Sequence, residues 1–243
     1  MFFKKKAILM IHGFIGGCYD FDNFNNDLQT NKKFDVFTFT LPAHEKFLVS
    51  DVKQEEWIEE CKKQIEFLIK NGYKEIYLIG HSMGGVLAAM LASMYPQVKK
   101  LVLVAPAFRY FYFKNGKIDI KNVSDTLKNL KNILSNESNE LLVSRIAKTP
   151  LPTVIEFMKL VKEKQDCINY ITCPTLTIHG KDDTIVPSES TEYVYNTIKS
   201  KTNILYNIKN VTHDCFRNHQ DVKDIIKEFL VNTPNNTKET INL

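Results

Sequence analysis

A chain of 243 residues, 44% apolar and 25% charged, is long enough for one α/β domain with a full core, and it is not biased as disordered or collagen-like chains are. The net charge of +4 is slight and the lysines are scattered, with no basic stripe interleaved with aromatics, which argues against a nucleic-acid partner. Five cysteines, an odd count without a C-x-x-C spacing, argue against a disulfide framework or a zinc ribbon and fit a reducing compartment.

In chain order, Ala7–Ile11 reads as a core strand leading into His12-Gly13. The lysines before it imitate a signal peptide, but the apolar run is too short for one. With no export signal and no run near the ~20 apolar residues of a membrane span, a cytoplasmic protein is expected. Asp35–Thr40 reads as a second strand. Gln54–Lys70 places Trp57, Ile58, Cys61, Ile65, Leu68 and Ile69 at helical spacing, and Asn71-Gly72 ends that helix. Glu75–Ile79 is a strand, Val86–Met94 a helix too apolar to face water, and Leu101–Ala105 a strand of the buried parallel type. Thr175–His179 and Asn203–Ile208 are further strands, Val222–Leu230 closes the domain as an amphipathic helix, and the polar tail from Asn232 is expected to fray. This alternation predicts an α/β fold with a mostly parallel sheet and helices on both faces.

One stretch breaks the rhythm. Between Pro106 and Pro174 there is an aromatic cluster, Phe108 to Phe113, a turn at Asn115-Gly116, and helical patterns at Asp125–Leu134, Asn139–Ala147 and Thr153–Lys164, but no buried strand. That is too long for an ordinary loop and predicts a helical cap over one end of the sheet. The expected organisation is a core of 1–107 and 172–231, a cap of 108–171 and a tail of 232–243.

The chemistry concentrates at Gly80-His81-Ser82-Met83-Gly84, between a strand and a helix. A sharp strand-to-helix turn lifts Ser82 above the sheet edge at a helix N-terminus, where backbone N–H groups and the helix dipole stabilise an oxyanion. Two such donors are needed: one from Met83, directly after the serine, and one from the glycine-rich loop after the first strand, where Phe14 is best placed between Gly13 and Ile15. A serine needs a base. Of six histidines, His213 lies past the last predicted strand, at the sheet end where ligands gather in α/β folds. His12, His81 and His179 sit at strand ends beside glycine and read as packing or hydrogen-bonding residues. His219 reads as surface, and His44 as a loop residue lining the mouth. His213 and His219 lack the companion spacing of a metal site, so no metal or cofactor is expected. Asp182 and Asp183, after the strand that follows the insertion, each supply a carboxylate to orient the base, in the order serine, acid, histidine.

Taken jointly, HGFIGG, GHSMGG, HGKDDTIVP and VTH resemble the motifs of the α/β-hydrolase superfamily, over nearly the whole chain. Closer in, the chain is similar to small bacterial carboxylesterases and monoacylglycerol lipases, including the stretch AKTPLPTVIEFMKLVKEKQDCINYITCPTLTI that leads from the cap into the acid strand. The resemblance implies Ser82 as nucleophile, His213 as base, an aspartate at 182 or 183, and Phe14 and Met83 as oxyanion donors. The family's usual G-x-x-D-x-x-V-P spacing, counted from Gly180 to Pro187, favours Asp183. Many relatives carry Gly-His-Gly where this chain has Leu41-Pro42-Ala43-His44-Glu45, so Glu45 is placed to alter substrate choice.

The expected substrate is a small ester with an apolar acyl chain. Gly13, Ile15, Phe108, Phe111, Phe157 and Met158 are its candidate binding residues, and Val154 and Val161 share the helix face of the last two. Rival readings on the same fold are a thioesterase, an aminopeptidase holding the substrate amine with Glu45, and a small-ligand binding module. Binding modules of this kind often lose a triad residue, whereas this chain keeps all three.

Overall fold

The structure, a computed structural model, describes residues 6–45, 51–109 and 149–243, with the backbone alone of 113–114 and 117–118. Its strands are β1 (Lys6–Ile11), β2 (Phe34–Thr38), β3 (Ile76–His81), β4 (Val98–Val104), the short antiparallel pair β5 (Phe113–Lys114) and β6 (Lys117–Ile118), β7 (Thr175–Gly180), β8 (Asn203–Ile208) and β9 (Lys238–Asn242). Its helices are α1 (Phe24–Gln29), α2 (Gln54–Lys70), α3 (Met83–Met94), α4 (Leu151–Lys164), α5 (Ser188–Thr197) and α6 (Gln220–Val231).

The main sheet has seven strands in the order β2-β1-β3-β4-β7-β8-β9, every neighbouring pair parallel. Side-chain alternation divides its core in two. Ala7, Leu9 and Ile11 of β1, with Leu78, Leu101 and Leu103, face α2, α3, α4 and α5. Ile8 and Met10, with Tyr77, Ile79, Val102, Val104 and Ile178, face α1 and α6. The central strands are apolar at nearly every position because both faces are covered.

Topology then places the site. The chain lays β2 on one side of β1 and β3 on the other, so the strand order reverses between β1 and β3. Loops leaving the carboxyl ends of two such strands diverge and leave a crevice, the usual ligand site of open α/β sheets. Here those two loops are the glycine-rich segment after Ile11 and the Gly80–Gly84 turn.

The structure extends and corrects the sequence reading at several points. Helix α3 begins at Met83 rather than Val86, and α5 had no sequence counterpart. The tail expected to fray instead returns as β9 along the free edge of β8. Asn203 N–H donates to the Thr237 carbonyl (2.8 Å), and Lys209 N–H and Leu243 N–H pair with the Leu243 and Asn207 carbonyls (both 3.0 Å). Its side chains are mostly exposed, so the pairing is a backbone matter that apolar patterning does not reveal. The helical patterns at Asp125–Leu134 and Asn139–Ala147 lie outside the described residues. The pattern at Thr153–Lys164 forms α4, whose Phe157, Leu160 and Val161 join the apolar cluster of α2 and α3. This described part of the expected cap packs against that cluster.

Removing residues 233–243 should therefore lower stability by about 2 kcal/mol or more, at roughly 1 kcal/mol net per lost hydrogen bond. Urea unfolding of the full and shortened chains measures this; an unchanged midpoint would mean that the tail is not part of the sheet.

Candidate active site

Ser82 is the N-cap of α3 and sits at φ 53°, ψ −118°, a conformation that costs a non-glycine residue about 1–3 kcal/mol. The surroundings over-determine it. Ser82 N–H continues the sheet by donating to the Val104 carbonyl (2.9 Å), while the Ser82 carbonyl accepts from Gly85 N–H (2.9 Å) and Ala107 N–H (3.2 Å). The helix must pass directly over β1, and a Cβ on Gly84 would lie 2.0 Å from the Ile11 carbonyl oxygen. Ser82 is 7% exposed. The glycine-rich loop lies against it: a Cβ on Gly13 would be 3.1 Å from the Ser82 Cβ. Met83, buried, opens the helix directly after the serine.

The structure brings Asp183, not Asp182, to His213. The His213 Nδ1–H donates to Asp183 Oδ2 at 2.8 Å, with the carboxylate side chain fully buried and the ring 16% exposed. The other oxygen, Oδ1, accepts the N–H groups of Ile185 (2.8 Å) and Val186 (2.9 Å). One aspartate thus both closes the turn and orients the histidine, and Asp182 is exposed. Burial pushes the Asp183 carboxyl up, but the facing His213 and the Val186 and Ile185 N–H groups outweigh it and hold the group below the ordinary carboxylate value. With Nδ1 donating to an ionised carboxylate, the free lone pair of the neutral ring is on Nε2. The two loops are laced together, with Asp182 N–H donating to the Val211 carbonyl (3.1 Å) and Lys181 N–H to Ile208 (2.7 Å).

Three further histidines make hydrogen bonds to the backbone of the neighbouring loops. His81 donates from Nε2 to the His213 carbonyl at 2.9 Å, and the two rings lie 4.9 Å apart. His12 donates from Nδ1 to the Gly13 carbonyl (2.9 Å) and accepts Leu41 N–H on Nε2 (3.0 Å). His44 was expected to line the mouth. It is instead buried, donates to the Pro42 carbonyl (2.9 Å) and accepts Ile15 N–H on Nε2 at 3.2 Å. That bond holds Ile15 at φ 67°, next to Phe14. No motif marks Asp20, whose carboxylate accepts Gly13 N–H and Gly17 N–H (both 3.3 Å).

The apolar candidates are partly gathered. Phe14 stacks on Phe157 at 4.8 Å and meets Trp57 edge-on at 5.9 Å. Phe108 is buried, its N–H held by Ser190 Oγ (2.8 Å), and Met158 is buried on α4 beside Phe157. Phe111 lies outside the described residues. Among the described residues, no group of three or more His, Cys, Asp and Glu side chains is placed to hold a metal ion, and no helix is long and apolar enough to cross a membrane.

Comparison with known proteins places the chain among esterase- and lipase-type α/β-hydrolases. The family model described as "Serine aminopeptidase, S33" matches residues 4–220. A carboxylesterase of Bacillus subtilis (strain 168) is 24% identical over 202 residues, covering 80% of this chain and 79% of that one. A thermostable monoacylglycerol lipase of Bacillus sp. (strain H-257) is 22% identical over 158 residues, 65% of this chain and 62% of the lipase. Among solved structures, one reported under LipS and LipT, two metagenome-derived lipolytic enzymes, superposes with a TM-score of 0.75 at 18% identity over 93% of both chains, a likeness of fold.

Because His44 supplies the acceptor for a buried N–H, His44→Phe should keep the ring packing and leave Ile15 N–H unpaired. A loss of about 1–3 kcal/mol is expected in chemical denaturation. A variant as stable as the parent would show that the bond does not hold the loop.

Proposed function

The chain belongs to the serine aminopeptidase S33 family of α/β-hydrolases, and from that premise we propose that it cleaves carboxylic esters with a Ser82–His213–Asp183 triad through an acyl-enzyme. The observation that carries the reading is the 2.8 Å Asp183–His213 pair, with His213 joined through its carbonyl to His81, the residue directly before a serine at positive φ on a helix N-terminus. The esterase and lipase relatives support an ester as the substrate class.

In the proposed reaction, His213 Nε2 takes the Ser82 proton as Oγ attacks the ester carbonyl. The N–H groups of Met83 and Phe14 receive the developing oxyanion, each donor of this kind contributing about 3 kcal/mol. The imidazolium, held by Asp183, then gives its proton to the departing alcohol. Water repeats the sequence on the acyl-enzyme and releases the acid. The same groups would serve a thioester, whose leaving group is a thiol. The family model's description keeps an aminopeptidase as the second reading. Glu45, exposed after the loop of His44, is the carboxylate that reading would use on a substrate amine.

Five free cysteines, two of them buried, suit a reducing interior, and we place the protein in the cytoplasm on that ground. The division into core and cap is kept as a proposal, with residues 108–171 contributing apolar surface over the crevice.

Rates on matched ester, thioester and aminoacyl-amide substrates test the class; amides turned over faster than esters would favour the aminopeptidase. Ser82→Ala should abolish ester cleavage in a folded protein. Asp183→Asn should lose about 10⁴-fold in turnover, as in serine proteases. The Asn oxygen will keep the two turn N–H groups, so its amide will donate to Nδ1 and force the proton onto Nε2. Asp182→Asn should remain near normal. If the 182 variant is the inactive one, the assignment of the acid is wrong.

The Phe14–Phe157–Trp57 group gives the oxyanion loop an apolar wall. Acyl chains longer than acetyl should react faster, by up to about fourfold per methylene buried, from ~0.8 kcal/mol each. A kcat/KM that falls steadily from acetyl upward contradicts an apolar acyl pocket.

A further inference from the structure

His81 stands directly before Ser82, is buried, and has different chemistry at its two nitrogens. Nε2 faces the His213 carbonyl at 2.9 Å, and a carbonyl only accepts, so Nε2 carries a proton. Nδ1 faces Asp20 Oδ2 at 3.9 Å, a Coulombic contact, and Nδ1 makes no hydrogen bond among the described residues. A neutral ring with its proton on Nε2 would present a lone pair to that carboxylate inside the protein. The doubly protonated ring suits both neighbours.

Asp20 is fixed by acceptor chemistry. Its two oxygens receive Gly13 N–H and Gly17 N–H, and a Cβ on Gly16 would lie 1.9 Å from Oδ2, so the loop is wrapped closely round the carboxylate. Burial disfavours charge on both partners. For His81, the Asp20 carboxylate, the His213 carbonyl and Asp214 outweigh it and raise the ring above its ordinary value. For Asp20, His81 and the Gly13 N–H outweigh it and hold the carboxyl down.

We propose that Asp20 and His81 are positioning residues: a buried carboxylate–imidazolium pair that ties the oxyanion loop to the loop carrying His213, across the nucleophile. The proposal rests on the triad reading. The chain of contacts runs from Gly13 and Gly17 N–H through Asp20 and His81 to the His213 carbonyl, so the donor loop and the base are held by one network. Its charge also bears on the base. The His81 ring is 4.9 Å from that of His213, and a cation there opposes a second cation on His213. The other charged and titratable groups around this pair and the His213 ring are His12 from the end of β1, Asp214 beside His213, and Asp183 and His179 near the His213 ring; Asp214 is itself paired with Arg217.

The test uses Asp20→Asn and His81→Gln, with folding checked by thermal unfolding, and the pH profile of kcat/KM on an ester. Asp20→Asn leaves His81 neutral, and His81→Gln removes the cation but leaves the carboxylate. In both, the acid limb should move to higher pH by about half a unit to one unit, further in His81→Gln. Plateau kcat should fall about tenfold with little change in KM, as expected for displaced groups. Imidazole ¹⁵N signals of the unmodified protein give a second readout independent of activity, and should show His81 protonated on both nitrogens at pH 7. A singly protonated His81 at pH 7, or a folded Asp20→Asn with an unmoved acid limb, overturns the proposal. Absence of ester cleavage by the unmodified protein would instead overturn the triad reading, while the nitrogen signals still decide whether the pair exists.

Discussion

The serine at positive φ is the constraint from which the rest of the site follows. A side chain at φ 53° is kept there only if the chain on both sides is held. Ser82 is held from β4 through Val104, from its own helix through Gly85, and from the loop after β4 through Ala107. The helix can start at that angle only because Gly84 has no Cβ to meet the end of β1. The strand order brings β1 and β3 side by side with their loops diverging. The turn, the switch in strand order and the crevice are thus one arrangement seen at three scales.

Around that turn the loops do not stand alone. The Asp183 loop and the His213 loop share the hydrogen bonds to Val211 and Ile208, and Asp183 divides its two oxygens between its own turn and His213. The glycine-rich loop is held by His44 at Ile15 and by Asp20 at Gly13 and Gly17. Each of these groups is buried or nearly so, and the loop N–H groups of Gly13, Ile15, Gly17, Ile185 and Val186 each have a side-chain acceptor. Few of these polar groups can be lost without leaving a partner unpaired, which keeps the proposed donors, nucleophile and base in register before any substrate arrives.

Much of this was legible in the residues. Ala7–Ile11 is apolar at every position, Leu176 and Ile178 and then Ile204, Tyr206 and Ile208 recur at every second position, and Gln54–Lys70 has a clean helical stripe, so strand and helix follow from periodicity. The start of α3 was hidden because Gly84 and Gly85 weaken a helical signal that the close approach to β1 requires. β9 escaped because its residues contribute backbone, not burial. His44 and Asp20 escaped for a different reason. His44 matters through a hydrogen bond to Ile15, 29 residues away, and Asp20 through bonds to Gly13 and Gly17 inside an irregular loop, and no periodic pattern records either. Asp182 and Asp183 could be told apart only by the family's spacing, since neighbours share one loop and differ in direction alone.

The most direct test of the account is covalent capture of the nucleophile. The folded protein, treated with a fluorophosphonate probe and digested, should carry one adduct, on the peptide containing Ser82, and the adduct should be absent from Ser82→Ala. A folded protein that takes no label, or takes it at another residue, would contradict Ser82 as an activated serine and with it the hydrolase mechanism proposed here.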